Sequence, residues 1–182
     1  MITIIPTNEV EQGTPKWLEL RSKYVTATDC YDLIKGTPIS ELLARKTNNS
    51  FKGNYYTQRG HDLEPYAKYV YSQLHQPVTD AGFIINDLYP NAGYSPDGLV
   101  NDNGLVEVKC FNVKRHLDVY QNLDPHIICQ IQFGLLISGR DWCDLVLYNP
   151  DIEDAHQAFL TKRLLPSAEM HNKIKLALKG TL

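Results

Sequence analysis

The most informative feature of this 182-residue sequence is what it does not contain. No apolar run reaches about 18 residues, so nothing in it predicts a membrane span. The first residues place no basic segment ahead of their short apolar run, which argues against a secretory signal peptide. There is no internal repeat and no low-complexity tract, so solenoids and disordered proteins are disfavoured.

Positive charge is not in excess either. The 18 Lys and Arg residues against 21 Asp and Glu give a net charge of -3, which excludes a globally basic nucleic-acid coat. A local basic groove is still compatible with this balance, because net charge says nothing about how the charges are distributed.

Cysteine is scarce and is not spaced for metal binding. The four cysteines, Cys30, Cys110, Cys129 and Cys143, form no Cys-x-x-Cys pair, so zinc-ribbon and thioredoxin-like proteins are disfavoured. We expect reduced, mostly buried thiols of a cytosolic protein.

The composition that is present is typical of a globular domain. Hydrophobic residues make up 43% of the chain and aromatic residues 10%, with 11 tyrosines, which is ample for a buried core. At this length we expect a single domain over residues 1–182.

The order of the predicted elements favours a mixed α/β domain. Helical spacing of apolar residues between capping residues predicts helices, and short apolar runs between turns predict strands. The first predicted helix is capped by Thr14 and has Pro15 in its first turn, and the second covers 28–36 with Thr28 as its cap. Further predicted helices cover 39–46, 55–75, 125–138 and 166–179, and a loop is predicted at 48–54. The predicted strands are 82–85, 94–100, 105–110, 142–148 and 155–162. The Asn-Gly pair that ends the turn at 101–104 predicts a β-hairpin.

The hairpin carries the residues that point to chemistry. Side chains at i and i+2 of a strand face the same way, so Glu107 and Lys109 share one face while Val108 takes the other. The hairpin turns the chain back, which can bring Asp97 of a Ser-Pro-Asp sequence to the same face. Two carboxylates beside a lysine suit a hard divalent cation such as Mg²⁺. The Val108 carbonyl is a further candidate ligand, and Lys109 could orient or deprotonate a water or stabilise charge on a phosphate.

The same residues have an ordinary explanation that must be weighed. A Glu-x-Lys pair on a strand is usually a solvated surface pair that contributes little to stability. The preceding Ser-Pro-Asp sequence, the tight hairpin and the apolar Val106 and Val108 favour a site instead.

Asp97, Glu107 and Lys109 resemble the PD-(D/E)xK nuclease signature. The wider resemblance is to the phage lambda exonuclease-like, or YqaJ-type viral recombinase, group. The segments that resemble this group in order are WLELR at 17–21, VTAT at 25–28, RGHDLEP at 59–65, SPDGLV at 95–100, LVEVK at 105–109, and CQIQ at 129–132 followed by the apolar run 142–148. The resemblance runs from about Gln12 to Pro150. It implies an α/β fold with a restriction-endonuclease-like core, a small mixed β-sheet flanked by helices, in one PD-(D/E)xK nuclease domain over 1–182.

The resemblance also implies a role for each matched residue. Asp97 and Glu107 would hold the metal, with Glu64 as a further ligand, and Lys109 would be the catalytic lysine. The residues implied for a pocket that binds the 5′ phosphate of a DNA end are Arg21, Thr28, Ser95 and Gln130.

Several of these positions have a second interpretation. Arg21 could pair with a neighbouring carboxylate, and Thr28 is a suitable helix cap whether or not it binds phosphate. Gln132 faces either the site or the core. His61 is either a neighbour of the metal or an ordinary histidine on a helix surface.

The function implied by the resemblance is a Mg²⁺-dependent 5′-to-3′ exonuclease, with Mn²⁺ as a substitute. It would degrade linear double-stranded DNA and leave 3′ single-stranded overhangs for recombination, with one or two metal ions. Its partners would be DNA ends, a single-strand annealing protein and further copies of the chain in a ring trimer. Its location would be the cytoplasm of a bacterium or an infected host cell. Two alternatives stay open: a structure-specific or restriction-like endonuclease on the same core, and a non-catalytic DNA-end-binding accessory protein.

Overall fold

The structure, a computed structural model, describes residues 1–48 and 55–180. The first part of the chain begins with one strand, β1 (Ile2–Ile5), and continues with helices. These are α1 (Pro15–Ser22), a 3-10 turn (Ala27–Asp29), α2 (Cys30–Ile34), α3 (Ile39–Asn48) and α4 (Tyr55–Leu74). Strands and helices alternate in the rest: β2 (Val78–Thr79), β3 (Phe83–Asn86), β4 (Gly93–Tyr94), β5 (Gly98–Val100), β6 (Gly104–Lys109), α5 (Val113–Gln121), α6 (Pro125–Ser138), β7 (Trp142–Tyr148), α7 (Ala155–Ala158), β8 (Phe159–Leu164) and α8 (Ala168–Leu178). The predicted mixed α/β class is confirmed.

The described strands form two sheets. The larger sheet has the order β2-β5-β6-β7-β8, and its β6–β7 pair is parallel while its other pairs are antiparallel. The smaller sheet, β1-β3-β4, is antiparallel. Parallel neighbours need a long crossover, which here contains α5 and α6. The predicted small mixed sheet flanked by helices is therefore confirmed, and the second sheet is an addition to it.

The two faces of the larger sheet are covered by different helices. Leu105 and Leu145 belong to the main core cluster, which includes most of the buried side chains of α6. Val106 and Val146 lie on the opposite face and pack with Tyr71 of α4. Alternate residues of β6 therefore enter two separate layers, as the period of two in a strand requires.

Local capping explains where the key helices begin and end. The Thr14 hydroxyl accepts a 3.3 Å hydrogen bond from the Trp17 amide, and Pro15 occupies the first position of α1. Such a cap contributes about 1 kcal/mol. Gly139 ends α6 in the left-handed region at φ 67, where a glycine has no side-chain clash. Both ends are as predicted.

The predicted strand 94–100 is wrong as one element. Tyr94 ends β4 in the smaller sheet, and Gly98 begins β5 in the larger sheet. Pro96 lies between them and has no amide hydrogen to donate to a ladder, so strand pairing is interrupted there. Residues 95–97 consequently bridge the two sheets, and this position decides where Asp97 lies.

Three other local predictions need correction. Thr28 does not cap a helix: it lies inside the 3-10 turn, and Thr26 precedes that turn with its amide bonded to Asp29. The segment 155–162 is not one strand, because the Asp154 side chain caps the single-turn helix α7 before β8 begins. The predicted loop 48–54 overlaps the end of α3 at Asn48, and its remainder lies outside the described residues.

The expected state of the cysteines is confirmed. All four are free, and Cys30, Cys129 and Cys143 are buried while Cys110 is half-buried. Across the described part of the chain, no helix has both the length and the apolar character that crossing a membrane requires.

Candidate active site

A cavity of about 900 Å³ lies where α1, α4 and α6 approach the junction of the two sheets. It brings together residues that are far apart in the sequence. Nine of the residues singled out above line it: Arg21, Thr28, His61, Glu64, Ser95, Asp97, Glu107, Lys109 and Gln130. We refer to it as the site cavity.

Asp97 and Glu107 face each other across the β5–β6 hairpin. Gly98 pairs with Val106, and continuing this register by one residue places Asp97 opposite Glu107. Asp97 Oδ2 accepts a 2.7 Å hydrogen bond from the Val108 amide, which fixes the carboxylate against β6. The structure thus places both acids on the cavity wall, where strand alternation predicted that they would meet.

Lys109 completes this acidic end of the cavity. Its Nζ lies 2.6 Å from Glu107 Oε1, and the Glu107 side chain is only 8% exposed. Burial, followed by the charge of Glu107, raises the pKa of Asp97 well above its ordinary value. Burial opposes the charge of Lys109, but the nearby Glu107 and Asp97 carboxylates outweigh it and raise the Lys109 pKa. Two carboxylates beside one lysine make a site that favours a further cation.

Glu64 reaches the cavity from α4 and is held by Lys68, one helical turn later. Lys68 Nζ lies 3.3 Å from Glu64 Oε1, 2.8 Å from Asp80 Oδ1 and 3.1 Å from the Asp97 carbonyl oxygen. Lys68 therefore joins α4 to the loop that carries Asp97. The sequence interpretation missed this lysine, although its i, i+4 spacing from Glu64 was a usable signal.

The oxygen donors at this end fit a hard divalent cation. The candidate ligands that line the cavity are the carboxylates of Asp97, Glu107 and Glu64. The Val108 carbonyl stays a prediction, because Val108 is not among the residues that line the cavity. No three His, Cys, Asp or Glu side chains within residues 1–48 and 55–180 are grouped closely enough to form a ready-made metal cage. Mg²⁺ does not require one, because it commonly takes one or two carboxylates and completes its shell with water and substrate phosphate.

Arg21 and Thr28 form the other end of the cavity. Arg21 Nη2 donates a 2.8 Å hydrogen bond to Thr28 Oγ1, and the guanidinium lies over the Trp17 ring at 5.1 Å. Trp17 in turn donates a 2.8 Å hydrogen bond to Ser95 Oγ. Arg21 thus binds a hydroxyl rather than the neighbouring carboxylate considered above, and burial lowers its pKa. A planar guanidinium beside hydroxyls is a suitable receptor for phosphate.

A second cation, Lys46, stabilises the end of the cavity that contains Arg21 and Thr28. Lys46 Nζ donates to Thr26 Oγ1 at 2.9 Å and to the Tyr24 carbonyl at 2.7 Å, and it also pairs with Asp29. The hydroxyls of Thr26 and Thr28 lie 3.2 Å apart, so the network continues to Arg21. The sequence interpretation missed Lys46, because it comes from α3 and only the tertiary fold brings it here.

The two glutamines of α6 have different environments. Gln130 is half-buried on the cavity wall. Gln132 is buried away from it, donating to the Leu165 carbonyl at 2.9 Å and accepting from the Ser167 amide at 2.8 Å. Residues two apart on a helix differ in direction by about 200°, which explains the separation. Of the two orientations considered for Gln132, toward the site or toward the core, the structure shows the core. His61 is exposed at the edge of the cavity.

Solved structures with this fold define the class as nucleases with a restriction-endonuclease-like core. An alkaline exonuclease from Laribacter hongkongensis, LHK-Exo, is 30% identical over 92% of each chain with a TM-score of 0.76. Its complex with dAMP is also 30% identical, covers 92% of each chain and has a TM-score of 0.79. A phage-related exonuclease from Haemophilus somnus 129PT, 14% identical over 90% of this chain and 94% of that chain, has a TM-score of 0.67 and shows the fold alone.

The family follows from a match over most of the chain. Residues 16–141 match the YqaJ-like viral recombinase domain, and the chain belongs to this family. The matched range includes every candidate site residue from Arg21 to Gln132. No curated protein matches the sequence significantly.

Proposed function

We propose that this chain is a divalent-metal-dependent 5′-to-3′ exonuclease acting on linear double-stranded DNA. One observation carries the proposal: a single cavity has two carboxylates and a lysine at one end and an arginine with hydroxyls at the other. The first group is suited to phosphodiester hydrolysis and the second to a terminal phosphate. Family membership and the similarity to LHK-Exo support the same reaction class.

At the acidic end, Asp97 and Glu107 would hold Mg²⁺, or Mn²⁺ in its place, with Glu64 and the Val108 carbonyl as further ligands. The bound ion would acidify a water and neutralise charge on the scissile phosphate. Lys109 then donates from its ammonium group to a phosphate oxygen and stabilises the charge that develops there. Its Nζ donates to Glu107 Oε1 at 2.6 Å, which leaves further ammonium hydrogens for the phosphate.

At the other end, Arg21 and Thr28 bind the 5′ phosphate, with Ser95 and Gln130 completing the pocket. Anchoring the terminal phosphate sets which phosphodiester bond reaches the acidic end. Repeated removal of the 5′ nucleotide leaves the complementary strand as a 3′ overhang, the product that recombination requires.

The experiment is a time course of digestion with Mg²⁺ and with EDTA. Its substrates are a linear duplex with a 5′ phosphate, the same duplex with a 5′ hydroxyl, and a closed circular duplex. We expect Mg²⁺-dependent loss of the 5′-phosphorylated strand, slower loss of the 5′-hydroxyl strand and an intact circle. Cutting of the circle would contradict the proposal in favour of an endonuclease, and DNA-end binding without digestion would favour an accessory protein.

The assembly, partner and location rest on the family resemblance alone. We propose a ring trimer that encloses DNA, a single-strand annealing partner and a cytoplasmic location. These three, and the single nuclease domain over 1–182, stay predictions.

A further inference from the structure

The side chain of Gln12 holds together two segments of chain that cross between the sheets. Gln12 is half-buried on the wall of the site cavity. Its Nε2 donates a 3.0 Å hydrogen bond to the Ala81 carbonyl and a 2.8 Å hydrogen bond to the Pro96 carbonyl. Ala81 lies where the chain passes from β2 to β3, and Pro96 lies where it returns from β4 to β5. Because both partners are acceptors, both hydrogens of the amide group are used.

The backbone that presents Gln12 is itself anchored. A methyl group added to Gly82, next to Ala81, would lie 2.0 Å from the Val10 carbonyl oxygen, so the two segments pack backbone against backbone. Gly13 follows Gln12 with φ 83, a left-handed conformation that favours glycine. The Gln12 side chain therefore extends to both carbonyls from a defined position.

The bond to Pro96 restrains the backbone immediately before Asp97. The proline ring fixes φ of Pro96 at about −65°, so ψ is the soft backbone torsion that is left in this residue. Rotation about ψ turns the Pro96 carbonyl together with the following peptide plane, which carries the Asp97 amide and Cα. A donor on this carbonyl therefore sets the position from which the Asp97 side chain starts.

Side chains from three separate segments hold residues 95–97. The donors are Trp17 to the Ser95 hydroxyl at 2.8 Å, Gln12 to the Pro96 carbonyl at 2.8 Å and Lys68 to the Asp97 carbonyl at 3.1 Å. Trp17 and Lys68 also contact other residues of the site, Arg21 and Glu64 respectively. Gln12 is uncharged and donates to backbone carbonyls, so its effect on the site comes from position rather than from charge.

We propose that Gln12 is a positioning residue for the metal site, and that its bond to the Pro96 carbonyl keeps the Asp97 carboxylate in place to bind a divalent cation together with Glu107. The Val108 amide fixes the Asp97 side chain, and Gln12 fixes the backbone that carries it. This inference rests on the proposed function, because it requires Asp97 to be a metal ligand.

The test compares Gln12→Met with Gln132→Met. Methionine keeps the length of glutamine but has no hydrogen to donate. Gln132 is the matched control, because its Nε2 also donates to a backbone carbonyl, that of Leu165 at 2.9 Å, but faces the core. Four quantities are measured: Tm in EDTA, the affinity for Ca²⁺ by calorimetry without DNA, kcat and KM on a 5′-phosphorylated duplex with Mg²⁺, and the rate ratio between 5′-phosphorylated and 5′-hydroxyl duplexes.

For both variants we expect a Tm lower by about 2–4 °C, because each leaves a backbone carbonyl without its donor. For Gln12→Met we also expect Ca²⁺ affinity and kcat each lower by about 10-fold, with KM and the preference for a 5′ phosphate unchanged. For Gln132→Met, Ca²⁺ affinity and kcat should be unchanged. A second variant, Gln12→Asn, ends about 1.5 Å short of both carbonyls and should lower Ca²⁺ affinity and kcat without adding an apolar group.

Two results would overturn the proposal for Gln12 alone. One is a Gln12→Met protein with the Ca²⁺ affinity and kcat of the unaltered protein, whether or not its Tm falls. The other is an equal loss of Ca²⁺ affinity and kcat in Gln132→Met, which would indicate a general effect of lower stability. If the unaltered protein neither binds Ca²⁺ nor cleaves DNA, the proposed function fails and this inference fails with it. The unaltered protein therefore separates the two failures.

Discussion

The Val108 amide donates a 2.7 Å hydrogen bond to the Asp97 carboxylate, and this bond closes the acidic end of the site cavity. Asp97 belongs to neither sheet, since it follows β4 of the smaller sheet and precedes β5 of the larger one. The bond fixes its side chain beside β6, where Glu107 faces the same cavity. The position of the proposed metal site thus depends on one backbone contact at the junction between two sheets.

The first prediction concerns the charge of Asp97. Asp97→Asn keeps an oxygen that can accept from the Val108 amide but removes the negative charge, so we expect it to retain the fold and abolish turnover. Because the Asp97 pKa is raised in the folded protein, its charged form is disfavoured there. The free energy of unfolding in EDTA should therefore be greater for Asp97→Asn than for the unaltered protein at neutral pH.

The same shift gives a pH dependence with a definite sign. A carboxyl with a raised folded-state pKa binds a proton more tightly in the folded state, so its contribution to stability is present at low pH and lost as pH rises through the raised pKa. The difference in unfolding free energy between Asp97→Asn and the unaltered protein should widen as the pH rises. If the difference in unfolding free energy between the two proteins narrowed as the pH rose, the raised pKa assigned to Asp97 would be contradicted.

The second prediction concerns the 5′ phosphate. Arg21→Gln should reduce the preference for a 5′-phosphorylated over a 5′-hydroxyl duplex by about 10-fold, because a charge-assisted hydrogen bond to phosphate is lost. The matched control is Lys23→Gln at the C-terminal cap of α1, where the Lys23 cation pairs with exposed Glu19. The comparison is of initial rates on the two duplexes. Equal loss of preference in both variants would remove the special role of Arg21.

The third prediction concerns Lys68, which contacts Glu64, Asp80 and the Asp97 carbonyl. Lys68→Met leaves these oxygens without their shared cation, so Tm in EDTA should fall. Added Mg²⁺ should recover part of the loss, since it supplies positive charge to the same end of the cavity. The control is Lys173→Met, which removes an exposed i, i+4 pair with Glu169 and should have little effect in either condition.

The fourth prediction separates the two glutamines of α6. Gln132→Ala removes hydrogen bonds to Leu165 and Ser167, so we expect a loss of about 1–3 kcal/mol in unfolding free energy with kcat unchanged. Gln130→Ala should leave stability nearly unchanged and raise KM for DNA ends. The two changes are read from chemical denaturation and steady-state kinetics. If Gln132→Ala raised KM and Gln130→Ala lowered the unfolding free energy instead, the wrong glutamine would have been placed on the cavity wall.

Periodicity and turn chemistry explain why part of the site could be predicted. Glu107 and Lys109 share a face because a strand alternates, and an Asn-Gly turn with a short hairpin returns the chain toward Asp97. The buried helix α6 and strand β7 were predicted with the bounds that the structure has, since an apolar run between Pro125 and Gly139 leaves little freedom.

The remainder depends on tertiary contacts that no local pattern encodes. The break between β4 and β5 could not be read from the apolar run around Tyr94, because pairing with β3 rather than β6 is decided by the global fold. Lys46 joins the phosphate end from α3, and its sequence neighbourhood is that of an ordinary surface helix. The Tyr94 hydroxyl has no hydrogen-bond partner within the described part of the chain, and only the positions of its neighbours in the fold reveal this.

The central claim is that one cavity both binds a 5′ phosphate and catalyses hydrolysis of the adjacent phosphodiester bond. The initial rate of strand digestion tests this claim most directly. The measurement uses a linear duplex with one 5′-phosphorylated and one 5′-hydroxyl end, each strand carrying a different label, with Mg²⁺ and with Asp97→Asn as the inactive control. We expect the 5′-phosphorylated strand to disappear first, from its 5′ end, and a 3′ overhang to accumulate, with no digestion by the control. Equal digestion of both strands, digestion from 3′ ends, or activity in Asp97→Asn would contradict the claim.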